Sequence, residues 1–124
     1  MIKCVIHCSD SPHGRGTTAS DIHQWHLDRG WDGIGYHYVI TEDGGIQNGR
    51  PEYWKGSHAK GHNDALGICL IGTDYFTEKQ FESLSNLILG FGFKKDEVVG
   101  HYAVSSKTCP NFNVEEFLDR IYNT

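Results

Sequence analysis

Three side chains of this 124-residue sequence have the types and the setting of metal ligands. His7 ends a short apolar run, Cys4-Val5-Ile6. His101 follows Val98-Val99-Gly100, and Cys109 comes in the next polar stretch, just before Pro110. Two imidazoles and one thiolate make a three-donor set for one zinc ion, with a fourth position open for water, as in catalytic rather than structural sites. No Cys-x-x-Cys pair and no His-Glu-x-x-His helix competes with them. Taken singly the residues say less. His7 alone reads as an ordinary strand histidine, and Cys109 alone as a plain loop cysteine. The combination carries the metal reading.

Neighbouring residues add to it. Lys107 lies two positions before Cys109, and in an extended segment residues two apart point the same way. Its ammonium can therefore face a pocket that holds Cys109 and donate to an oxyanion formed when water attacks an amide carbonyl. A solvated surface lysine is the plain alternative. Tyr36 opens the run Tyr36-His37-Tyr38, where a phenol can hold the attacking water or donate to the oxyanion; a packed sheet aromatic is the alternative. The Gly-containing loop Ser57-His58-Ala59-Lys60-Gly61-His62-Asn63 suits a polar ligand, with His58 rather than His62 as the contact, or is a solvated turn. His37, His58 and Asn63 are assigned to substrate contact. Strict alternation turns His37 away from Tyr36 unless the strand end twists.

Strands and helices must position these groups. Lys3 to Cys8 reads as a short buried strand. Thr18 with Asp21, and Thr77 with Gln80, have the capping-box spacing that starts a helix. The first helix turns Ile22, Trp25, His26 and Arg29 to one side and ends at Gly30. The second buries Phe81, Leu84, Leu87, Ile88 and Phe91. Tyr36 to Thr41 is a strand, Asp43-Gly44-Gly45 a turn, and Ile46 to Gly49 the return strand. Residues 50 to 66 form a polar loop. Gly67 to Gly72 is a centrally buried strand. Glu97 to Gly100 is a further strand that delivers His101, and residues 102 to 112 are loop. Asn113 caps a last helix carrying Phe117, Leu118 and Ile121. This alternation predicts a single α/β domain over 1–124, with a central mixed sheet flanked by about three helices and the zinc site in a surface groove.

Composition excludes other classes. The net charge of −5 gives no counterion-release drive toward nucleic acid, and the only basic pair is Lys94-Lys95. No apolar run approaches a membrane span. The first residues lack the long apolar stretch and cleavage site of a signal peptide, so synthesis in the cytoplasm is expected, with release by some other agent if the substrate lies outside. Cys4 and Cys69 sit in apolar runs and are expected to pack as reduced, small hydrophobes. A monomer is expected.

Eight segments, taken together, resemble one family: the phage lysozyme-type N-acetylmuramoyl-L-alanine amidases and the related peptidoglycan-recognition proteins. They are Ile6-His7-Cys8-Ser9, Gln24-Trp25-His26, Arg29-Gly30-Trp31, Gly35-Tyr36-His37-Tyr38, Gly56-Ser57-His58-Ala59-Lys60-Gly61, Gly67-Ile68-Cys69-Leu70-Ile71-Gly72, Gly100-His101 and Lys107-Thr108-Cys109-Pro110. They run in the family's order. The resemblance implies zinc held by His7, His101 and Cys109, with Tyr36 and Lys107 as the catalytic side chains beside it. It also implies hydrolysis of the amide between N-acetylmuramic acid and L-alanine in peptidoglycan, as by an endolysin in host lysis. Two alternatives keep the fold: a peptidoglycan-binding module that does not cut, and an amidase that recycles muropeptides.

Overall fold

The computed structural model describes residues 1–122. Its elements, in chain order, are β1 (Cys4–Cys8), α1 (Ala19–Asp28), β2 (Tyr38–Ile40), β3 (Ile46–Asn48), β4 (Leu66–Leu70), α2 (Glu78–Phe91), β5 (Val98–Gly100) and α3 (Val114–Tyr122). The strands form one sheet in the order β3-β2-β4-β1-β5. Only the β2–β3 hairpin is antiparallel; β2–β4, β4–β1 and β1–β5 pair in parallel. This is the expected mixed sheet of an α/β fold.

Parallel strands are joined by crossovers that lay helices on the faces, so the inner strands lose solvent on both sides. All five residues of β1 and of β4 are buried. Side chains alternate across the sheet. Cys4, Ile6 and Cys8 of β1, with Ile68 and Leu70 of β4, join Leu84 and Ile88 of α2 and Val114, Phe117 and Leu118 of α3 in the larger core. On the opposite face, Val39, Cys69 and Ile71 pack against Ala19 and Ile22 of α1. Two helices therefore cover one face and one covers the other. Cys4 and Cys69 are fully buried free thiols, as expected.

The helix starts follow from the capping residues. Thr18 and Asp21 form a reciprocal capping box at α1, and Thr77 and Gln80 form one at α2. The Asn113 Oδ1 accepts from the Glu116 amide at 2.9 Å to start α3. Helix α2 ends at Gly92, whose φ of 74° is the left-handed conformation that glycine adopts without penalty.

Several boundaries differ from the sequence reading. Strand β2 begins at Tyr38, so Tyr36 precedes it. Strand β4 runs Leu66–Leu70 rather than from Gly67 to Gly72, and β5 begins at Val98 rather than Glu97, with His101 opening a short 3-10 turn after its expected end at Gly100. In α1 the buried stripe is Ala19, Ile22 and His26, which leaves Trp25 at its edge and 40% exposed. Phe91, in the last turn of α2, is 37% exposed and lies past the buried residues Gln80, Leu84 and Ile88, which are spaced by four.

Gln80 is the one fully buried polar residue of α2, and it is fully bonded. Its Oε1 accepts from the Thr77 amide at 2.9 Å. Its Nε2 donates to the Ile71 carbonyl at 2.8 Å and to the Ile40 carbonyl at 3.3 Å. One side chain thus ties the start of α2 to the ends of two strands. Replacing Gln80 with Ala strands these groups in a dry core and is expected to destabilise the fold by about 2–3 kcal/mol, measured by urea unfolding.

Candidate metal and catalytic site

The site lies at the carboxyl ends of the parallel strands, where open α/β sheets collect their functional groups. His7 is the fourth residue of β1 and is 1% exposed. The register that sets Ile6 opposite Gly100 brings His101 beside it in the next step of the chain. The two imidazole centroids are 4.4 Å apart. Cys109 reaches the same place from the loop after β5, where its Sγ accepts from the Cys8 amide at 2.9 Å. One donor atom from each of His7, His101 and Cys109 lies within 4.8 Å of the other two, so one metal ion can touch all three.

The electrostatics suit a metal rather than free ionised groups. Burial holds the His7 imidazole well below its usual pKa, helped by His58, His101 and the Lys107 ammonium. Burial and Lys107 lower His101 as well. Both rings therefore stay neutral with a lone pair to give. The Cys8 side chain and burial push the Cys109 thiol up. A bound divalent cation reverses that, because a coordinating thiol is deprotonated outright.

A cavity of about 580 Å³ opens onto this cluster. Tyr36, His58 and Lys107 line it together with the three candidate ligands. The Tyr36 ring centroid is 5.0 Å from that of His7. Because Tyr36 precedes β2, sheet alternation does not govern it, and it packs against the α1-side cluster. Burial raises its phenol well above the ordinary value, so it remains a hydrogen-bond donor.

Of the three residues assigned to substrate contact, two lie away from the cavity. His37 is 2% exposed and does not line the cavity. Its Nδ1 accepts from the Gly67 amide at 2.9 Å and its Nε2 donates to the Trp54 carbonyl at 2.8 Å, so both nitrogens serve the scaffold. Asn63 faces a different cavity, beside Tyr53 and Trp54. Its Oδ1 accepts from the amides of His58 at 2.7 Å and Ala59 at 2.8 Å. His58 does reach the cavity, but as a partner of His7: its Nδ1 is 2.8 Å from the His7 Nε2.

Other residues at the site carried weaker sequence signals. Cys8 contributes its amide to the Cys109 sulfur, a contact between residues 101 apart in sequence. His26, Arg29 and Trp31 also line the cavity. All three lie in the Gln24-Trp25-His26 and Arg29-Gly30-Trp31 segments, which was the available signal. His26 is 5% exposed, and its Nδ1 accepts from the Gly35 amide at 3.0 Å, which holds the chain leading into Tyr36.

With this geometry in view, the comparisons with known proteins are decisive. The N-acetylmuramoyl-L-alanine amidase family profile matches residues 3–112. The chain belongs to that family. The amidase is 34% identical to the endolysin of Escherichia phage T7, over 93% of this chain and 83% of the relative. It is 39% identical to the peptidoglycan-recognition protein LB of Drosophila melanogaster, over 73% of this chain and 42% of that protein. Among solved structures, the endolysin N-acetylmuramoyl-L-alanine amidase LysCS from Clostridium intestinale superposes with a TM-score of 0.83 at 35% identity, covering 98% of this chain and 83% of that one. The candidate ligands His7, His101 and Cys109 all lie inside the matched span, as do Tyr36 and Lys107.

The buried histidines make the amidase fold sensitive to acid. Burial, with smaller contributions from Arg29, Arg50 and His23, lowers His26 from 6.5 to about 4. The unfolded chain then takes up a proton that the folded chain refuses. The stability from His26 is full above about 6.5 and is lost as pH falls toward about 4. His26→Asn, whose amide oxygen can accept the Gly35 bond, should show a shallower loss of unfolding free energy across that window than the wild type.

Proposed function

We propose that the amidase is a zinc-dependent endolysin that hydrolyses the amide between N-acetylmuramic acid and L-alanine in bacterial peptidoglycan. The observation that carries the reading is the convergence of His7, His101 and Cys109 at one cavity that Tyr36 and Lys107 also line. Two neutral nitrogens and a thiol are the donor set of a zinc site with a position left over for water. When bound, zinc supplies a Lewis acid and lowers the pKa of water toward neutrality.

The chain's own side chains do the rest. Two neutral imidazoles and one thiolate would hold a divalent ion with a net positive charge of about one left over, which would keep it electrophilic. The Lys107 ammonium lines the same cavity and lowers both histidines, so its charge suits an oxygen that gains negative charge there. The Tyr36 phenol, kept protonated by burial, donates a hydrogen bond that positions water or the scissile carbonyl. The cavity lies on the surface rather than in the core, which suits a polymeric substrate entering from solvent.

The reading extends to the protein's setting. No helix among the described residues is long and apolar enough to cross a membrane. A chain made in the cytoplasm as a monomer, released by another agent and then acting on the wall, accounts for the endolysin likeness. Its acidic charge favours neither nucleic acid nor an anionic cell surface, so substrate affinity comes from the groove.

Variants test the assignment. Cys109→Ser should lose most bound zinc and nearly all wall-lysing activity. Lys107→Ala should keep its zinc and lose about 10²–10³ in turnover. Full metal content and activity in Cys109→Ser would refute the ligand set, and normal turnover in Lys107→Ala would remove its catalytic role.

A further inference from the structure

His58 sits in the cavity wall with no hydrogen-bonding nitrogen to spare. Its Nε2 is 2.9 Å from the Ala65 carbonyl oxygen. Its Nδ1 is 2.8 Å from the His7 Nε2. A carbonyl oxygen can only accept, so the His58 Nε2 carries the proton. A neutral imidazole has one N–H, which leaves the His58 Nδ1 as a bare acceptor. The His7 Nε2 facing it must then be the donor. The remaining nitrogen of His7, Nδ1, keeps its lone pair and has no hydrogen bond among the described residues. Each assignment forces the next, and the chain begins at a backbone carbonyl that cannot change its role.

The surroundings hold the His58 ring to this geometry. A Cβ built on Gly67 would lie 2.7 Å from the ring's Cδ2, and one on Gly56 would lie 2.5 Å from the same atom. Both positions thus admit the ring only because they are glycine. The backbone of His58 is fixed as well, since its amide and that of Ala59 both donate to Asn63 Oδ1. The ring stands edge-on to His7, with an interplanar angle of 88°. Two glycines, an asparagine clamp and a carbonyl acceptor are a costly arrangement for a residue that only contacts substrate.

We propose that His58 is a positioning residue, which locks His7 in the Nε2–H tautomer and orientation so that the His7 Nδ1 is presented to the metal. This rests on His7 being a metal ligand, as in the function proposed above. A histidine ligand that donates its other N–H to a fixed acceptor is both oriented and made more basic, and removing such a partner typically costs about 10–100-fold in metal affinity. It also separates the roles of the two histidines in this wall: His7 donates to the ion, and His58 sets which of its nitrogens can.

The test has two arms. In the metal-free wild-type protein, ¹⁵N–¹H correlation spectra of the imidazoles should show His7 protonated at Nε2 and bare at Nδ1. Zinc affinity, measured by competition with a chromophoric chelator, should weaken about 10–100-fold in His58→Ala and recover in part in His58→Asn, whose amide oxygen can accept from His7. Unfolding midpoints near that of the wild type would show that the variants fold. A His7 protonated at Nδ1 in the wild type overturns the proposal without any variant. So does a folded His58→Ala that binds zinc as tightly as the wild type. A wild-type protein that binds no zinc would refute the metal reading instead, and the His7 tautomer would still decide the hydrogen-bond relay.

Discussion

The pairing of β1 between β4 and β5 is the constraint from which the site follows. Parallel neighbours on both sides leave β1 no free edge, and its five buried residues leave it no free face. Alternation then has a fixed meaning. Ile6 and Cys8 must face the core under α2 and α3, and His7 must point to the other side. A slip of one residue would exchange an imidazole for an apolar side chain on each face. The Ile6–Gly100 register brings His101 to His7, and the Cys8 amide at the strand's end receives the Cys109 sulfur. The three candidate ligands therefore converge through backbone pairing, before any metal contributes.

Around this centre, polar groups that would be costly to bury are used to hold loops. His23, His26 and His37 each accept a backbone N–H through Nδ1, from Ile34, Gly35 and Gly67. The segment that carries Tyr36 is thereby pinned by imidazoles on both sides. No buried side-chain nitrogen or oxygen among the described residues lacks a partner. The high histidine content is only partly catalytic in meaning. A neutral ring that accepts at one nitrogen and donates at the other can stitch an irregular loop to a sheet, which no aliphatic side chain can do.

Much of this was legible in the sequence, for physical reasons that differ by element. The three helix starts were readable because capping chemistry is local: Thr18, Thr77 and Asn113 announce themselves within four residues. β1 and β4 were readable because strands buried on both faces are continuously apolar. Their ends moved by a residue or two, since pairing partners rather than propensity set where a strand stops. The grouping of His7, His101 and Cys109 was legible from residue type and context. The positions of His37 and Asn63 were not. Whether a loop histidine faces solvent, substrate or another imidazole depends on contacts from residues as far away as Gly67 and Ala65, which no local pattern encodes. Phe91 was expected to be buried and is 37% exposed, because it lies in the last turn of α2, past the buried Gln80, Leu84 and Ile88.

The family places the chemistry at an amide of peptidoglycan, and the site geometry supplies a metal-assisted way to cut it. The most direct measurement is mass spectrometry of purified peptidoglycan after digestion by the zinc-loaded protein, beside a sample stripped with chelator. The account predicts intact stem peptides with a new L-alanine amino terminus and uncut glycan strands bearing free lactyl carboxylates on their muramic acids, with both lost on chelation and restored by zinc. Cleavage within the glycan or the stem peptide, or the same products from the metal-free protein, would contradict it.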